Sequence, residues 1–398
     1  MNKAQSPVGW VRSKLGKVAK IERESVKPEN IQVGTTYIGL EHIDGEGMFS
    51  GVRSVDTGDI ASNKFAFDSR HLLYGKLRPY LKKIARPNFN GICSTDILPI
   101  LPGAHIDRSF LYYYLRQPQY IELATTRSTG ANLPRLSPKT LAEFPILFPP
   151  LEEQKRIAAI LDKADSIRRK RKKAIALTEE LLRSTFLDMF GDPVTNPKGW
   201  EIVKLGSQIE ELKYGTNSKC STLQRKKDIP VLRIPNIVGD KLSWNELKYT
   251  NLESKEISKL ILKNDDLLFV RSNGNPEYIG RCALFEGNGK QAVYASYLIR
   301  ARIKPDAQLY PGFIRDIISF PSFRSRLVRE ARTTAGNYNI NIQGLSRLKL
   351  ICPPMDNQKR YLTFNQTVSE HIVKQQKKLE NSENLFNSLL QKAFRGEL

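Results

Sequence analysis

The chain has 398 residues, of which 63 are Lys or Arg and 41 are Asp or Glu, and its formal net charge is +22. A chain of this length is too long to fold around one ordinary hydrophobic core, so two or more domains are expected. So large a surplus of positive charge favours nucleic acid as the binding partner. No apolar run is long enough to span a membrane, and the N-terminal residues lack the apolar core of a signal peptide, so we expect a cytoplasmic protein.

The first half of the chain gives a clear order of predicted elements. It opens with Gly9-Trp10, and β-type runs bounded by turn residues follow, such as 35–43. A helical stretch at 108–127 precedes a Gly/Asn turn and a short strand that ends at Pro149-Pro150. Residues 151–190 then run without Pro or Gly and begin with acidic residues, which predicts a long helix.

The second half repeats this order. Gly199-Trp200 lies 190 residues after Gly9-Trp10, and each pair is followed five residues later by Leu-Gly. The phrase FPPLEEQKR at 148–156 returns as CPPMDNQKR at 352–360, again in front of a long stretch without Pro or Gly. Matches that keep their order through the chain indicate an internal duplication.

We therefore predict an α+β protein built from two tandem mixed α/β domains related by a pseudo-twofold duplication. The domains are separated by two long helices that form an antiparallel coiled coil. The predicted divisions are a first domain at 1–150, a central spacer helix at 151–192, a second domain at 193–354 and a C-terminal spacer helix at 355–398.

Both long helices contain apolar residues at sevenfold spacing, which is typical of a helix that packs against a partner helix. The predicted seam residues are Ile160, Ile167, Ala174 and Leu181 in the first helix and Ile372, Leu379, Phe386 and Ala393 in the second. The alternative is that each helix packs only on its own domain. We favour pairing because about 40 residues, or about 60 Å of helix, is too long for one small domain to cover.

The turns of both domains mix basic, amide and aromatic side chains. Lys and Arg can neutralise DNA phosphates, while Arg, Asn and Gln can make paired hydrogen bonds to base edges. In the first domain the candidate DNA-binding residues are Lys76, Arg78, Tyr80, Lys82, Arg127, Ser128, Asn132 and Arg135. In the second they are Lys213, Tyr214, Asn217, Lys219, Arg225, Lys226, Arg271, Asn273, Asn275, Tyr278, Arg281, Arg332, Asn337, Tyr338 and Asn339. The alternative for any one of them is an ordinary polar turn residue.

Six consecutive cations, Arg168 to Lys173, lie in the middle of the first long helix. A solvated helix face is the default interpretation of such a run. The sharper hypothesis is that these cations face DNA phosphates.

No catalytic, nucleotide-binding or metal-binding motif emerges from the sequence. The four Cys and four His residues are scattered without metal-ligand spacing, and neither GxxxxGK[ST] nor [DN]PP[YF] occurs. Glu153 with Lys155 could suggest a nuclease motif, but Asn357 stands in place of the Glu in the second copy. We therefore predict a non-catalytic protein without a bound metal or cofactor.

A family resemblance rests on three features of the sequence. They are the repeated (F/C)PP-x-(E/D)-x-Q-K-R phrase before each long helix, the GWxxxxLG openings and the STG turn before LFPPLEEQKRIAAILDKAD. With the LLRSTFLDMFGDP exit that leads to the second GW, they resemble the specificity subunits of type I restriction–modification systems over essentially the whole chain. The second phrase departs from the first at Met355, Asn357 and Tyr361, which leaves open whether both helical regions dock partners equally well.

The resemblance implies a bipartite double-stranded DNA target with one half-site for each domain. It also implies assembly with two methyltransferase subunits and with restriction subunits, for adenine-N6 methylation and host defence. S-adenosylmethionine, ATP and Mg would then be bound by those partners. Two alternatives from other classes stay open: a standalone nuclease or methyltransferase with an unrecognised site, and a nucleic-acid-binding scaffold unrelated to restriction.

Overall fold

A computed structural model describes residues 7–56, 58–334 and 337–398 of the chain. Contacts divide the chain into two compact units: unit 1 comprises residues 1–173 and 376–398, and unit 2 comprises residues 174–375. Each unit thus contains one whole predicted recognition domain and a segment of both long helices. The four predicted divisions stay predictions, because the contact units cut through the two helices.

Among its described residues, unit 1 contains three sheets. Their orders are β1-β11, β2-β10-β7-β8 and β3-β6-β9-β4-β5. The strands are β1 (Val11–Lys14), β2 (Ala19–Ile21), β3 (Ser25–Val26), β4 (Thr36–Ile38), β5 (Arg53–Ser54), β6 (Lys64–Phe67), β7 (Leu72–Gly75), β8 (Ile84–Ala85), β9 (Gly91–Cys93), β10 (Ile97–Pro102) and β11 (Pro145–Phe148).

The α-helices that belong to unit 1 follow strand β10, apart from one short α-helix near its start. They are α1 (Leu15–Val18), α2 (Arg108–Leu115), α3 (Pro118–Thr126) and α4 (Pro138–Ala142), and the long helix α5 (Leu151–Phe190) continues into unit 2. Asp107 caps α2 by accepting a hydrogen bond from the Phe110 amide (2.8 Å), and Ser137 caps α4 in the same way through the Thr140 amide (3.0 Å).

Unit 2 repeats the sheet plan of unit 1 and adds short strands. Its main sheet has the order β13-β22-β18-β20, and smaller sheets have the orders β12-β25, β17-β14-β21, β15-β16 and β19-β24-β23. The strands are β12 (Glu201–Lys204), β13 (Ile209–Tyr214), β14 (Ile229–Leu232), β15 (Ile237–Val238), β16 (Lys241–Leu242), β17 (Lys248–Thr250), β18 (Leu267–Val270), β19 (Ser272–Asn273), β20 (Cys282–Leu284), β21 (Val293–Tyr294), β22 (Leu298–Ile303), β23 (Arg332–Thr334), β24 (Asn337–Asn339) and β25 (Lys349–Cys352).

The α-helices of unit 2 include counterparts of α2, α3 and α4 of unit 1. The α-helices of unit 2 are α6 (Ser254–Leu260), α7 (Pro311–Ser319), α8 (Pro321–Glu330) and α9 (Ile342–Ser346), and α10 (Met355–Arg395) continues into unit 1. Asn341 caps α9 through the Gly344 amide (2.8 Å), at the place where Ser137 caps α4.

The duplication is visible in the strand pairing. β2-β10-β7-β8 corresponds to β13-β22-β18-β20, strand for strand, and β1-β11 corresponds to β12-β25. Each unit also has one parallel pair in its second sheet, β4 with β9 and β14 with β21. Because strand order is set by the whole chain path, this agreement confirms two copies of one fold.

Antiparallel packing of the two long helices occurs inside each unit. In unit 1 the Lys172 ammonium lies 3.2 Å from the Glu383 carboxylate, and the Arg168 guanidinium lies 5.2 Å from the centre of the Phe386 ring. In unit 2 the rings of Phe186 and Tyr361 are 5.5 Å apart. Since residue numbers fall along one helix as they rise along the other, the helices run in opposite directions, and the predicted fold class is confirmed.

A buried glutamine joins each long helix to its domain. The Gln154 side chain is 0% exposed, accepts from the Asp107 amide (2.9 Å) and donates to the carbonyls of His105 (3.0 Å) and Pro149 (2.8 Å). The glutamine of the repeated QKR phrase therefore connects the start of α5 to the start of α2.

The second copy preserves this arrangement. Gln358 is 0% exposed, accepts from the Tyr310 amide (3.0 Å) and donates to the carbonyls of Gln308 (2.9 Å) and Pro353 (2.8 Å). A buried amide group without partners would be destabilising, so the phrase requires Gln at this position for folding.

Each long helix ends at a glycine with a positive φ. Gly191 (φ 75°) lies against Pro197, and Gly396 (φ 72°) lies against Pro7 and close to Trp10. Glycine adopts this left-handed backbone without strain, which makes it the usual residue just after a helix.

Candidate nucleic-acid interface

In unit 1 the structure brings the two predicted basic turns together. Residues 76–78 leave the end of β7 and lie alongside residues 134–136. The Leu136 amide donates to the Lys76 carbonyl (2.9 Å), and the Arg78 amide donates to the Pro134 carbonyl (2.8 Å). Two stretches separated by almost sixty residues in the sequence therefore form one polar surface, which we call face 1.

The first turn of face 1 presents its side chains to solvent. Arg78, Tyr80 and Lys82 are exposed, with Tyr80 at 47%. Arg78 (φ 49°) and Lys82 (φ 56°) both have left-handed backbone conformations, which cost on the order of 1 kcal/mol in residues other than glycine. Such strain is frequent at functional loops and here keeps both cations at the surface.

The second turn of face 1 is organised around Asp96, which the sequence analysis did not select. Arg135 donates to both oxygens of this carboxylate, from Nε at 2.9 Å and from Nη2 at 3.2 Å. The ammonium group of Lys76 lies 3.9 Å from the same carboxylate. The hydrogen bonds that Arg135 donates to Asp96 raise the pKa of Arg135, so this guanidinium is held charged and in a fixed plane.

The remaining predicted residues of face 1 differ in their accessibility. Arg127 is exposed, with its guanidinium 5.9 Å from the centre of the Phe144 ring, and Asn132 is exposed in the turn itself. The Ser128 hydroxyl instead donates to the Ala124 carbonyl (2.7 Å). Ser128 therefore closes the end of α3, and its proton is not available to DNA in this arrangement.

In unit 2 the structure places several predicted residues around one open cleft of about 320 Å³. The Arg271 guanidinium lies 4.5 Å from the centre of the Tyr214 ring, and Nε of Arg271 has no hydrogen-bond partner among the described residues. Tyr297 at the rim is 61% exposed. The residues that line this cleft, here called face 2, are Tyr214, Gly215, Asn217, Arg271, Ser272, Ser296 and Tyr297.

Next to face 2, two predicted asparagines bond to the backbone of their own loop. The Asn273 side chain accepts from the Asn275 amide (2.8 Å), and the Asn275 side chain accepts from the Glu277 amide (3.0 Å). Their carbonyl oxygens are therefore used, while the amino groups stay available as donors. Arg281 stacks over the Tyr278 ring at 4.0 Å.

A hairpin of β23 and β24 borders face 2. Tyr338 and Asn339 pair with Asn273 and Ser272 of β19, so they join the loop that follows β18. Tyr338 is partly buried against the core of unit 2. The side chains of Arg332 and Asn337 lie outside the described part of the structure, so their predicted role stays untested.

The other basic residues predicted in unit 2 are less concentrated. The Lys213 ammonium pairs with Glu211 at 2.9 Å. Lys219, Arg225 and Lys226 are exposed in the long connection between β13 and β14 and do not line the cleft. Their DNA contacts stay predictions.

The cationic run of α5 is only partly available to DNA. Arg168 and Arg169 both bond to Asp165, at 2.7 and 2.6 Å, and Lys172 bonds to Glu46 at 2.6 Å. Half of the run therefore neutralises acidic groups inside unit 1, contrary to the hypothesis that the whole run faces phosphates. Lys170 and Lys173 are exposed and stay compatible with it.

The residues predicted to pack between the two long helices are buried or half-buried in α10 but largely exposed in α5. In α10, Ile372 and Ala393 are 4% and 0% exposed, and Leu379 and Phe386 are half-buried. In α5 the row at Ile160, Ile167, Ala174 and Leu181 is not the buried face: Ile160 is half-buried, Ala174 is exposed, and Ile167 and Leu181 are 44% and 49% exposed.

The buried face of α5 follows other residues. Ile157, Leu161, Ile175, Phe186 and Phe190 are buried there, and Asp165 and Arg168 occupy the same face between them. Polar residues interrupt the apolar pattern of the true packing face, so sevenfold spacing selected the neighbouring row. A helix of 3.6 residues per turn also drifts away from any strict sevenfold row.

Asp96 and Tyr297 are among the site residues that sequence reasoning missed. Both directly precede a core strand, β10 and β22, and aligning CSTDIL (93–98) with YASYLI (294–299) brings them into register. Comparing the two copies position by position would have found them. Within the described ranges no helix is long and apolar enough to cross a membrane, and no cluster of His, Cys, Asp or Glu could hold a metal.

Comparison with known proteins agrees with this geometry. A family described as the type I restriction modification DNA specificity domain matches residues 7–177. The type I restriction enzyme EcoKI specificity subunit of Escherichia coli K12 is 26% identical over 328 residues, which cover 78% of this chain and 69% of that protein. The first part of the chain thus matches the DNA specificity domain, and about three quarters of the chain is similar to a type I specificity subunit.

A second relative comes from an archaeon. The MjaIX specificity subunit of Methanocaldococcus jannaschii is 24% identical over 75% of this chain and 71% of its own length. Both relatives are named specificity subunits of type I restriction enzymes.

Solved structures show the same fold. The type I specificity subunit from M. genitalium aligns with a TM-score of 0.61 at 13% identity, covering 99% of this chain and 98% of that one. A chain from a structural study of the assembly and conformational transition of a type I system aligns with a TM-score of 0.55 at 19% identity, covering 99% and 100%.

Proposed function

We propose that this chain is the non-catalytic specificity subunit of a type I system and that it recognises a bipartite double-stranded DNA target, with one half-site bound by face 1 and the other by face 2. The single observation that carries the proposal is the placement of the faces. Each face is formed by corresponding loops of the duplicated fold, which follow β7 in unit 1 and β18 in unit 2. Because the two units have the same fold but different loop side chains, they can bind DNA in similar orientations while recognising two different base sequences.

The chemistry of the faces supports this proposal. Arg78 and Lys82 on face 1 can neutralise phosphates, and Tyr214 with Arg271 on face 2 offers stacking and hydrogen-bond donors. The formal net charge of +22 favours association with a polyanion.

The two long helices support a further part of the proposal. They are continuous over 40 and 41 residues, and each contributes a segment to both units. We propose that their length determines the number of base pairs between the half-sites, as dimer geometry does in other DNA-binding proteins.

The proposed complex contains two methyltransferase subunits and restriction subunits beside this chain. S-adenosylmethionine, ATP and Mg would be bound by those partners, and the modified base would be adenine at N6. The complex would act on host and foreign DNA in the cytoplasm.

Sequencing of methylated adenines tests the proposal in a host strain with and without the gene. We expect a bipartite methylation motif that disappears when the gene is deleted. Replacing residues 1–150 with the corresponding domain of a relative should change one half-site only, and deleting one or two turns from both long helices in register should shorten the gap while both half-sites persist. A motif that survives gene deletion, or half-sites that change when only the helices are shortened, would refute the proposal.

A further inference from the structure

Face 1 contains a fixed backbone connection between three segments. The Lys76 amide donates to the Asp96 carbonyl (2.9 Å), and the Lys76 carbonyl accepts from the Leu136 amide (2.9 Å). Lys76 is thus held between the start of β10 and the turn that contains Arg135.

Face 2 repeats this connection. The Arg271 amide donates to the Tyr297 carbonyl (3.0 Å), and the Arg271 carbonyl accepts from the Ile340 amide (2.8 Å). Because the same backbone bonds join the same segments of the frame, positions in the two faces can be equated. The corresponding pairs are Lys76 with Arg271, Asp96 with Tyr297, and Arg135 with Asn339.

The side chains at these positions differ in charge. Face 1 has a carboxylate that orients a guanidinium, whereas face 2 has a tyrosine and an asparagine in those places. The backbone can therefore approach DNA in the same way in both units. A residue that determines which base is recognised must differ in its side chain while its backbone position is kept, and these positions meet that requirement.

The hydrogen bonds of Arg135 leave one of its edges available. Nε and Nη2 face the Asp96 carboxylate at 2.9 and 3.2 Å, so the opposite edge, formed by Nη1 and the second proton of Nη2, has no partner among the described residues. The side chain is 43% exposed. An arginine edge with two parallel donors matches the O6 and N7 acceptors of guanine, and a bound carboxylate fixes its plane beforehand.

We propose that Arg135, held in place by Asp96, recognises a guanine in the half-site bound by unit 1. This assignment rests on the proposed function and adds to it the base and the residue. Arg78 and Lys82 neutralise phosphates and carry no sequence preference, while Arg135 contacts a base edge in the major groove.

The test uses the complete complex with its methyltransferase subunits on a plasmid library with randomised sequence, followed by sequencing of methylated adenines. The swap of residues 1–150 identifies which half-site belongs to unit 1. The decisive variant is Arg135→Lys, because it keeps the positive charge but loses the two parallel donors. We expect the preference for guanine at one position of that half-site to fall about tenfold to a hundredfold, with the other half-site unchanged.

Two further variants sharpen the assignment. Asp96→Asn should weaken the same guanine preference, because the guanidinium loses its oriented carboxylate. Arg127→Ala is the matched control: it removes an exposed cation from the same turn and should slow methylation at all sites without altering the motif. Thermal unfolding of each variant checks that it is folded.

The outcomes separate the two proposals. A bipartite motif whose unit-1 half-site is unchanged in Arg135→Lys, or which lacks a guanine there in the wild type, overturns the assignment alone. Absence of any bipartite motif in the wild-type complex overturns the proposed function, and the assignment with it.

Discussion

The two units have the same frame but hold their helix segments together by partly different interactions. In unit 1 a charged group of Glu46, Arg168 and Lys172 lies where the recognition domain meets the helices. Both units also have aromatic contacts at the helices: between ring centres, Phe394 lies 5.3 Å from Phe110 in unit 1, and Phe186 lies 4.9 Å from Phe320 and 5.5 Å from Tyr361 in unit 2. Ion pairs weaken with salt and with acid, whereas aromatic packing does not, so the two units should respond differently to solution conditions.

The largest effect is expected from breaking the aromatic contact of unit 2. Phe186→Ala removes a side chain that is 2% exposed and should lower the free energy of unfolding of unit 2 by about 3–5 kcal/mol. Hydrogen exchange of peptides from α7 and α10 measures this loss. Leu187→Ala, on the exposed side of the same helix turn, should change it by less than about 1 kcal/mol. Equal losses in the two variants would contradict the assignment of the packing face.

A smaller and symmetric effect is expected from the duplicated glutamines. Gln154→Ala and Gln358→Ala each remove three buried hydrogen bonds and should cost about 2–4 kcal/mol, the first in unit 1 and the second in unit 2. Urea unfolding with hydrogen exchange distinguishes the units. Gln376→Ala, at an exposed position of α10, provides the control. If only one of the two buried glutamines mattered, the connections would not be equivalent.

The smallest effect is expected from the ionic group of unit 1, and it depends on pH. Burial alone would raise the pKa of Glu46, but hydrogen bonding to Lys172 and the nearby Arg168 and Arg169 outweigh it, so the pKa lies below the ordinary 4.5. A carboxylate whose pKa is lower in the folded chain than in the unfolded chain stabilises the fold above its unfolded pKa, which is about 4.5 here. This stabilisation is lost as the pH falls through the lower pKa of the folded state.

Glu46→Gln should therefore destabilise unit 1 by about 1 kcal/mol at pH 7 and low salt, since the group is partly screened by solvent. The difference from wild type should shrink below about pH 4.5, the ordinary value of this carboxyl. Urea titrations at pH 7 and at lower pH measure it, with the exposed Glu24→Gln as control. A difference that grew on acidification would be incompatible with the ion pairs.

Much of the fold could be predicted from the sequence, because repeats and Pro-Pro boundaries are local signals. The long helices begin at Leu151 and Met355, directly after those prolines. The packing face of α5 could not be predicted from sevenfold spacing, since Asp165 and Arg168 interrupt its apolar pattern through partners distant in sequence, such as Glu46. Loop residues selected for composition did converge on face 1 and face 2, but Asp96 was missed because its role depends on a contact across 39 residues.

The glycine that follows each long helix has a consequence for chain continuity. In unit 2 one uninterrupted stretch leads from Gly191 to Pro197, while in unit 1 Gly396 meets Pro7 from the opposite end of the sequence. The same corner is thus formed once by a covalent connection and once by contact alone. A proline packed against the glycine therefore accompanies the corner in both units, with or without a covalent connection between the two residues.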